Sequence, residues 1–223
     1  MKRILAFLIA AMCVVSLGGC HGKKGEWTVY GFVDKETGIE YVDVAPFGLY
    51  AVNRGEEFIK VGDGDAQVTY YEVQFESTED FLCFEDSGEF LLVRNKEVEE
   101  PTIETFNPVA AAILDGNNQV EIARLYSDEQ FIPEEIENGI VGDHDSALCQ
   151  KIAQAIVEGE DTTVEKVSEE DRYYIRLLSK DYPGLYYMVV FFGNDAGRYF
   201  LRDRATGKTV YCPYDVIARM VGA

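Results

Sequence analysis

Two short stretches of the chain bring side-chain oxygens close enough together to suggest a metal: Gly62-Asp63-Gly64-Asp65 and Gly142-Asp143-His144-Asp145. Calcium takes about six to eight oxygens, delivered by a loop at alternate positions and closed by a bidentate glutamate. Neither stretch carries that loop pattern. The first reads as a polar turn. In the second, Asp143, His144 and Asp145 would point alternately to opposite faces of a strand, and Asp145 is better used as a helix cap. No metal ligand is assigned. Nucleophilic chemistry is no better served, because the chain has no Gly-x-Ser-x-Gly, His-Glu-x-x-His, Walker or dinucleotide loop. A cysteine–histidine pair would have to use His21 or His144, and neither has a recognisable context. Forty acidic residues supply a glycosidase-type carboxylate pair by residue type, but choosing two of them is arbitrary. No catalytic residue and no cofactor is assigned.

Recognition is better supplied than reaction. Tyr70-Tyr71, Tyr173-Tyr174 and Tyr186-Tyr187 are adjacent pairs, so in strands each pair places one ring on each sheet face. Outward rings would make a carbohydrate- or peptide-binding surface; the alternative is that they pack beneath a helix or loop. Five cysteines are present, of which Cys13 and Cys20 fall at the N-terminus. The other three, Cys83, Cys149 and Cys212, form at most one internal disulfide, and there is no CxxC. Cys83 among Phe81, Leu82 and Phe84, and Cys149 on an apolar helical face, read as small buried hydrophobes. Cys212, ahead of Pro213 at a strand end, is expected to be the exposed one.

Charge and composition bound the class. Apolar residues make up 47% of the 223 and aromatics 13%, enough for a packed core despite a net charge of −20. That charge argues against nucleic acid, which needs clustered Lys and Arg. It argues equally against the folded body lying flat on an anionic membrane. An acidic surface attracts a basic partner or a divalent cation, or serves solubility alone.

The elements that would position any site are mostly strands. Residues 27–33 and 39–44 flank Asp34-Lys35-Glu36-Thr37-Gly38 and predict a hairpin. Short strands follow at 47–52 and 58–61. Over 67–76 the pattern has period two, with Thr69, Tyr71, Val73 and Phe75 on one face. Residues 80–85 and 90–94 predict another hairpin, and 97–108 reads as a connection. Residues 109–114 are apolar and short, helix or strand; 119–126 predicts a strand, and 129–142 is irregular. Leu148, Ile152, Ala155 and Ile156 recur at helical spacing, from a cap at Asp145 or Ser146 to a left-handed Gly159. Strands at 173–179, 185–193, 198–202 and 208–212 precede a last helix over 214–221, which Pro213 starts. Residues 185–192 are apolar on both faces and predict a central, covered strand. The fold expected is α+β, mainly antiparallel β-sheet, with a C-terminal helix–four-strand meander–helix unit. One motif repeats: Asp34-Lys35-Glu36-Thr37-Gly38 and Asp203-Arg204-Ala205-Thr206-Gly207 share Asp-basic-x-Thr-Gly. Turn chemistry produces such a repeat by convergence; a duplicated module would produce it too.

The N-terminus carries the most specific signal. Lys2 and Arg3 precede an apolar run over 4–15, shorter than the roughly 20 residues a spanning helix needs. A small-residue exit follows, and the whole reads as an export signal. Leu17-Gly18-Gly19-Cys20 resembles the lipobox of bacterial lipoproteins. The resemblance implies that the Cys20 sulfur takes a diacylglyceryl group and that a peptidase cuts ahead of it; ordinary signal cleavage near Ser16-Leu17-Gly18 is the alternative. The mature part resembles, loosely, uncharacterised surface lipoproteins of Gram-positive bacteria, which brings no activity with it. The organisation expected is a signal peptide over 1–19, lipidated Cys20 with a tether over 20–26, a β-rich half over 27–100 and an α+β half over 101–223, the two halves separate or one domain. The partners expected are the membrane, through the anchor at its extracytoplasmic face, and a protein or peptide. These readings converge on a membrane-anchored extracytoplasmic lipoprotein that binds or inhibits without catalysis. The alternative is an envelope hydrolase using a carboxylate pair or a metal.

Overall fold

The computed structural model describes residues 24–44, 48–117, 121–125, 142–143, 146–164 and 167–221. The export signal, the lipobox with Cys20, the irregular segment over 129–141, and His144 and Asp145 lie outside the described residues.

The first eight strands are β1 (Lys24–Trp27), β2 (Gly31–Asp34), β3 (Glu40–Asp43), β4 (Leu49–Ala51), β5 (Arg54–Val61), β6 (Val68–Val73), β7 (Phe81–Asp86) and β8 (Glu89–Asn95). Hydrogen bonding runs β8–β3–β2–β1–β5–β6–β7 and back to β8. Seven strands thus close into a small barrel, antiparallel except where β1 meets β5. Closure removes the unpaired edges that an isolated hairpin would expose. Inside, Phe32, Tyr41, Ile59, Val61, Tyr70, Leu82 and Val93 form one buried cluster. Phe32 stacks on Tyr41 with centroids 5.1 Å apart and meets Tyr70 at 4.4 Å. The inward position of β1 is Gly25, where a Cβ would lie 2.5 Å from Val61 Cγ2. The barrel is filled by its own side chains.

The second body is an open sheet. It consists of β9 (Pro108–Leu114), β10 (Glu121–Leu125), β11 (Gly142–Asp143), β12 (Val167–Ser179), β13 (Leu185–Asn194), β14 (Tyr199–Asp203) and β15 (Thr209–Tyr211), with helices α1 (Ser146–Glu158) and α2 (Tyr214–Val221). Its axis is β13, every residue of which but Asn194 is buried. β12 runs along one edge of it. The other edge is shared, with β4 paired at Leu185–Tyr187 and β14 at Val189–Gly193. Because Tyr50 of β4 also pairs with Leu91 of β8, this strand links sheet and barrel. Leu148, Cys149, Ile152, Ala153 and Ile156 of α1 pack on Ile175, Leu177, Val189, Phe191 and Leu201 of the sheet. The same core takes in Leu49 of β4, and Val73, Phe81 and Cys83 from the outside of the barrel. Burying side chains of this size contributes about 1.5–3 kcal/mol each, so the shared core ties the two β bodies together.

Several expectations need correcting. Residues 27–33 are not one strand: Thr28 N–H donates to Gly31 O, turning the chain between β1 and β2. β6 stops at Val73, and Phe75 leaves the predicted face with φ 70°, 80% exposed. Cys212 is buried rather than exposed, packed in the main core beside Val216. Gly159 does not take the left-handed position. It is needed because a Cβ there would lie 2.8 Å from Val210 Cγ1, where the end of α1 meets β15. Residues 109–114, left open between helix and strand, belong to β9, and the first strand begins at Lys24, inside the segment read as tether. The connection over 97–108 sends Ile103 and Phe106 into the main core, where Phe106 stacks on Tyr182 with centroids 5.7 Å apart.

Candidate functional site

The face of β12, β13 and β14 turned away from α1 is built in cross-strand rows. Direct pairing puts Arg172, Phe192 and Phe200 in one row, and Tyr174, Val190 and Arg202 in the next. Arg176 pairs with Met188, and Arg204 N–H donates to Met188 O, completing a third. Partners directly opposite in a sheet share a face. Four of the ten arginines in a chain with forty acidic residues therefore stand on one small surface, around an apolar strip of Met188, Val190 and Phe192.

The arginines are held by aromatic rings. Arg176 lies over Tyr186 at 4.7 Å, Arg202 over Phe192 at 5.0 Å and Arg204 over Tyr174 at 5.9 Å. Each such contact is worth about 0.5–1 kcal/mol at exposed sites and more where water is excluded. Arg202 Nε donates to Thr209 Oγ1 at 2.9 Å, which fixes its plane. Arg176 also sits 3.8 Å from Glu89. Val167, Arg172, Tyr174, Val190, Phe192, Arg202 and Arg204 line a cleft of about 160 Å³. Its rim is irregular for a stated reason: Val167 pairs with Asn194 and Arg172 with Phe192. Six residues of β12 thus stand against three of β13. This bulge swings Val167 and Arg172 to the same opening, and bulges recur beside binding sites.

Two tyrosines sit next to the cleft. Tyr50 stacks on Tyr186 with centroids 5.2 Å apart. Burial pushes both phenol groups above their ordinary pKa, an effect that Arg176 and Arg204 partly offset. The hydroxyls are therefore neutral at physiological pH and serve as donors or acceptors, not as charges. The cleft itself brings together the guanidinium groups of Arg172, Arg202 and Arg204, the Tyr174 ring, and Val167, Val190 and Phe192.

The singled-out tyrosines divide unevenly. Tyr70 fills the barrel, Tyr186 lies under Arg176, and Tyr187 is buried in the main core with its hydroxyl donating to Asp203 Oδ1 at 3.0 Å. Tyr71 is covered by Arg54 at 4.6 Å, and Tyr173 meets Phe191 at 6.1 Å. Only Tyr174 lines the cleft. The sequence reading missed the arginines, although a signal was there: Arg172-x-Tyr174-x-Arg176 and Arg202-x-Arg204 alternate at the period of a strand, one beginning just before a predicted strand and the other running past the end of one.

Among the described residues, Asp63 and Asp65 do not line this cleft. Asp63 and Asp65 are exposed on the turn after β5, and Asp143 stands in β11, with His144 and Asp145 outside the described residues. Among the described residues no three His, Cys, Asp or Glu side chains gather as a metal site would require. Burial pushes the Cys83 and Cys212 thiols up to about 12, which leaves neither as a nucleophile. A larger hollow of about 840 Å³ lies along β1 and β5. Its Lys35 and Lys60 are matched by Glu26 at 2.9 Å and Glu57 at 3.0 Å. No described helix is long and apolar enough to cross a membrane. Compared with protein families, with curated proteins and with solved structures, the chain matches none.

Proposed function

We propose that this is an exported, lipid-anchored binding module that presents the arginine face of its sheet to a ligand outside the cytoplasm. The supporting observation is the concentration of Arg172, Arg176, Arg202 and Arg204 around an apolar strip in a chain of net charge −20. Export and anchoring rest on Leu17-Gly18-Gly19-Cys20, with acylated Cys20 holding the body at the extracytoplasmic face of the membrane. The unit that carries the face is the helix, the four-strand meander and the last helix, and the barrel is its support. A binding or inhibitory role follows from a cleft whose groups hold a ligand without activating it.

Two measurements test this. Mass spectrometry of the native protein should find Cys20 as an acylated N-terminal residue; an unacylated Cys20 with the leader attached overturns the anchor. A thermal-shift screen across small anions, peptides and oligosaccharides should find ligands that raise Tm for the native chain. An Arg204→Gln variant should lose that response. Equal shifts in both proteins would remove the face from the account.

A further inference from the structure

Of the nine large hydrophobic side chains that the described residues leave exposed, three fall within four consecutive positions: Trp27 at 45%, Val29 at 86% and Tyr30 at 74%. Exposed apolar residues scattered singly need no explanation, whereas a contiguous group marks an interaction site. These three occupy the turn between β1 and β2. The turn is not loose: Thr28 N–H donates to Gly31 O at 2.8 Å, and Asp43 N–H donates to Tyr30 O at 3.1 Å. Trp27 makes a T-shaped contact with Tyr70, centroids 6.5 Å apart. Backbone bonding therefore holds Val29 and Tyr30 in place, which lowers the ordering cost of meeting a partner. Charge is not what the turn offers. Lys35 and Lys60, which line the same hollow as Trp27, already face Glu26 and Glu57. Asp63 and Asp65 stand exposed on the turn after β5, where a Cβ on Gly62 would lie 2.8 Å from Trp27 Nε1.

We infer that the β1–β2 turn is a second contact with the lipid bilayer, Val29 and Tyr30 dipping into the headgroup layer and Trp27 resting at its edge. The inference rests on the reading of Cys20 as the acylated residue, and it adds an orientation for the folded body. Chain length favours it. Cys20 to Lys24 is four residue steps, about 14 Å when fully extended, and β1 spans about 10 Å from Lys24 to Trp27. The turn therefore stays within about 25 Å of the anchored residue. Side-chain chemistry favours it too, since Trp and Tyr pair an apolar body with a polar tip and gather at membrane–water boundaries. A strongly acidic body is repelled by an anionic surface. A short apolar tip needs no charge attraction, so the partner named is a zwitterionic lipid surface.

Trp27 is the only tryptophan in the chain, so its fluorescence reports on this turn alone. The test reconstitutes the native acylated chain into phosphatidylcholine vesicles whose acyl chains carry bromine close to the headgroup. Trp27 emission should fall about twofold relative to unbrominated vesicles, as expected for a ring at headgroup depth. A double variant, Val29→Asp with Tyr30→Asp, should stay on the vesicles through its anchor and lose most of that quenching. Phe75→Asp, an exposed change at the opposite end of the β5–β6 hairpin, should be quenched as the native chain is. Near-ultraviolet circular dichroism of each variant separates a displaced turn from lost folding. An acylated chain that floats with the vesicles while its Trp27 is not quenched overturns the inference and leaves the anchor standing. Equal quenching of the native chain and the double variant overturns it as well. Trp27 shielded from acrylamide on the vesicle yet untouched by bromine assigns the turn to a second copy of the chain instead. A native chain unacylated at Cys20 removes the anchor, and the inference falls with it.

Discussion

The barrel interior and the arginine face are both β surfaces rich in aromatic rings, yet one is closed over by its own strands and the other is covered by arginine side chains. In the barrel, all seven strands turn a residue inward, and Phe32, Tyr41 and Tyr70 meet ring to ring. Even a glycine is required, at Gly25, to let Val61 in. The polar tip of Tyr41 escapes by donating to Thr78 O at 2.6 Å. On the open sheet the same residue types lie flat under guanidinium groups, and a cleft persists. Closure obliges a chain to fill its interior at close to crystal density. An open face has no such obligation, so what stands on it is free to serve recognition. The barrel interior is committed to packing its seven buried side chains, while the sheet face carries the arginines.

The largest effect that would test this contrast is Phe32→Ala. Phe32 is fully buried between Tyr41 and Tyr70, and phenylalanine-to-alanine changes in cores cost about 3–5 kcal/mol. Urea unfolding should show that loss, while the cleft of the surviving folded fraction keeps its ligand response. A loss under about 1 kcal/mol would mean the barrel is not tightly packed, and the comparison would break.

A second contrast lies in the two Asp-basic-x-Thr-Gly turns, which have the same hydrogen bonds. Asp34 Oδ1 accepts from Glu36 N–H at 2.9 Å and Asp34 Oδ2 from Thr37 Oγ1 at 2.9 Å. Asp203 Oδ1 accepts from Ala205 N–H at 2.8 Å and Asp203 Oδ2 from Thr206 Oγ1 at 2.6 Å. Gly38 and Gly207 both sit at φ 77°, a conformation glycine adopts without steric cost. Only Asp203 also accepts from the buried Tyr187 hydroxyl. Asp34→Ala should cost roughly 1–2 kcal/mol and Asp203→Ala roughly 2–4 kcal/mol, because the latter strands a buried donor. Equal losses in thermal unfolding would show that the Tyr187 bond contributes nothing.

These turns were readable in the sequence because their chemistry is complete within five residues. The hairpin over 80–94, the helix at 146 and the covered strand at 185 were readable for the same reason: local periodicity fixes them. Barrel closure was not. It depends on the short parallel contact of Lys24–Gly25 with Lys60–Val61 and on β8, beyond its hairpin with β7, meeting β3, two pairings remote in sequence and unmarked by any motif. Cys212 was misplaced for a related reason, since nothing local announces that α1 and α2 fold over β15. The arginines were half readable: their alternation puts them on one face of each strand, but only the β12–β13–β14 pairing makes the two sets neighbours.

Alkaline pH should weaken the barrel and the shared core together. Burial, with help from Asp34, Glu79 and Asp80, pushes Tyr41 in the barrel up to about 12 from an ordinary 10.0. Burial likewise lifts Cys83 and Cys212 to about 12 from 9.0. Each group releases its proton more readily once unfolded, so the unfolded chain binds fewer protons and stability falls as pH rises. The contribution is complete below about pH 9 and fades progressively toward pH 12. Urea midpoints measured from pH 7 to 11 should be flat at first and then decline. Replacing Cys83 and Cys212 by alanine should move the onset of decline up toward 10. An onset unmoved by that double change would remove the thiols from the account.

The smallest effect is expected on the arginine face itself. Arg202→Gln removes one bond to Thr209 and one contact over Phe192, together worth about 1–2 kcal/mol at most. The glutamine can restore part of the first. A fall in stability near or below about 1 kcal/mol, set beside loss of the ligand response in the thermal-shift screen, would mark a residue kept for its ligand. The reverse pattern, a large destabilisation with affinity intact, would make Arg202 a clamp between β14 and β15. The open face would then be as structural as the barrel, and the contrast between the two regions would be one of shape alone.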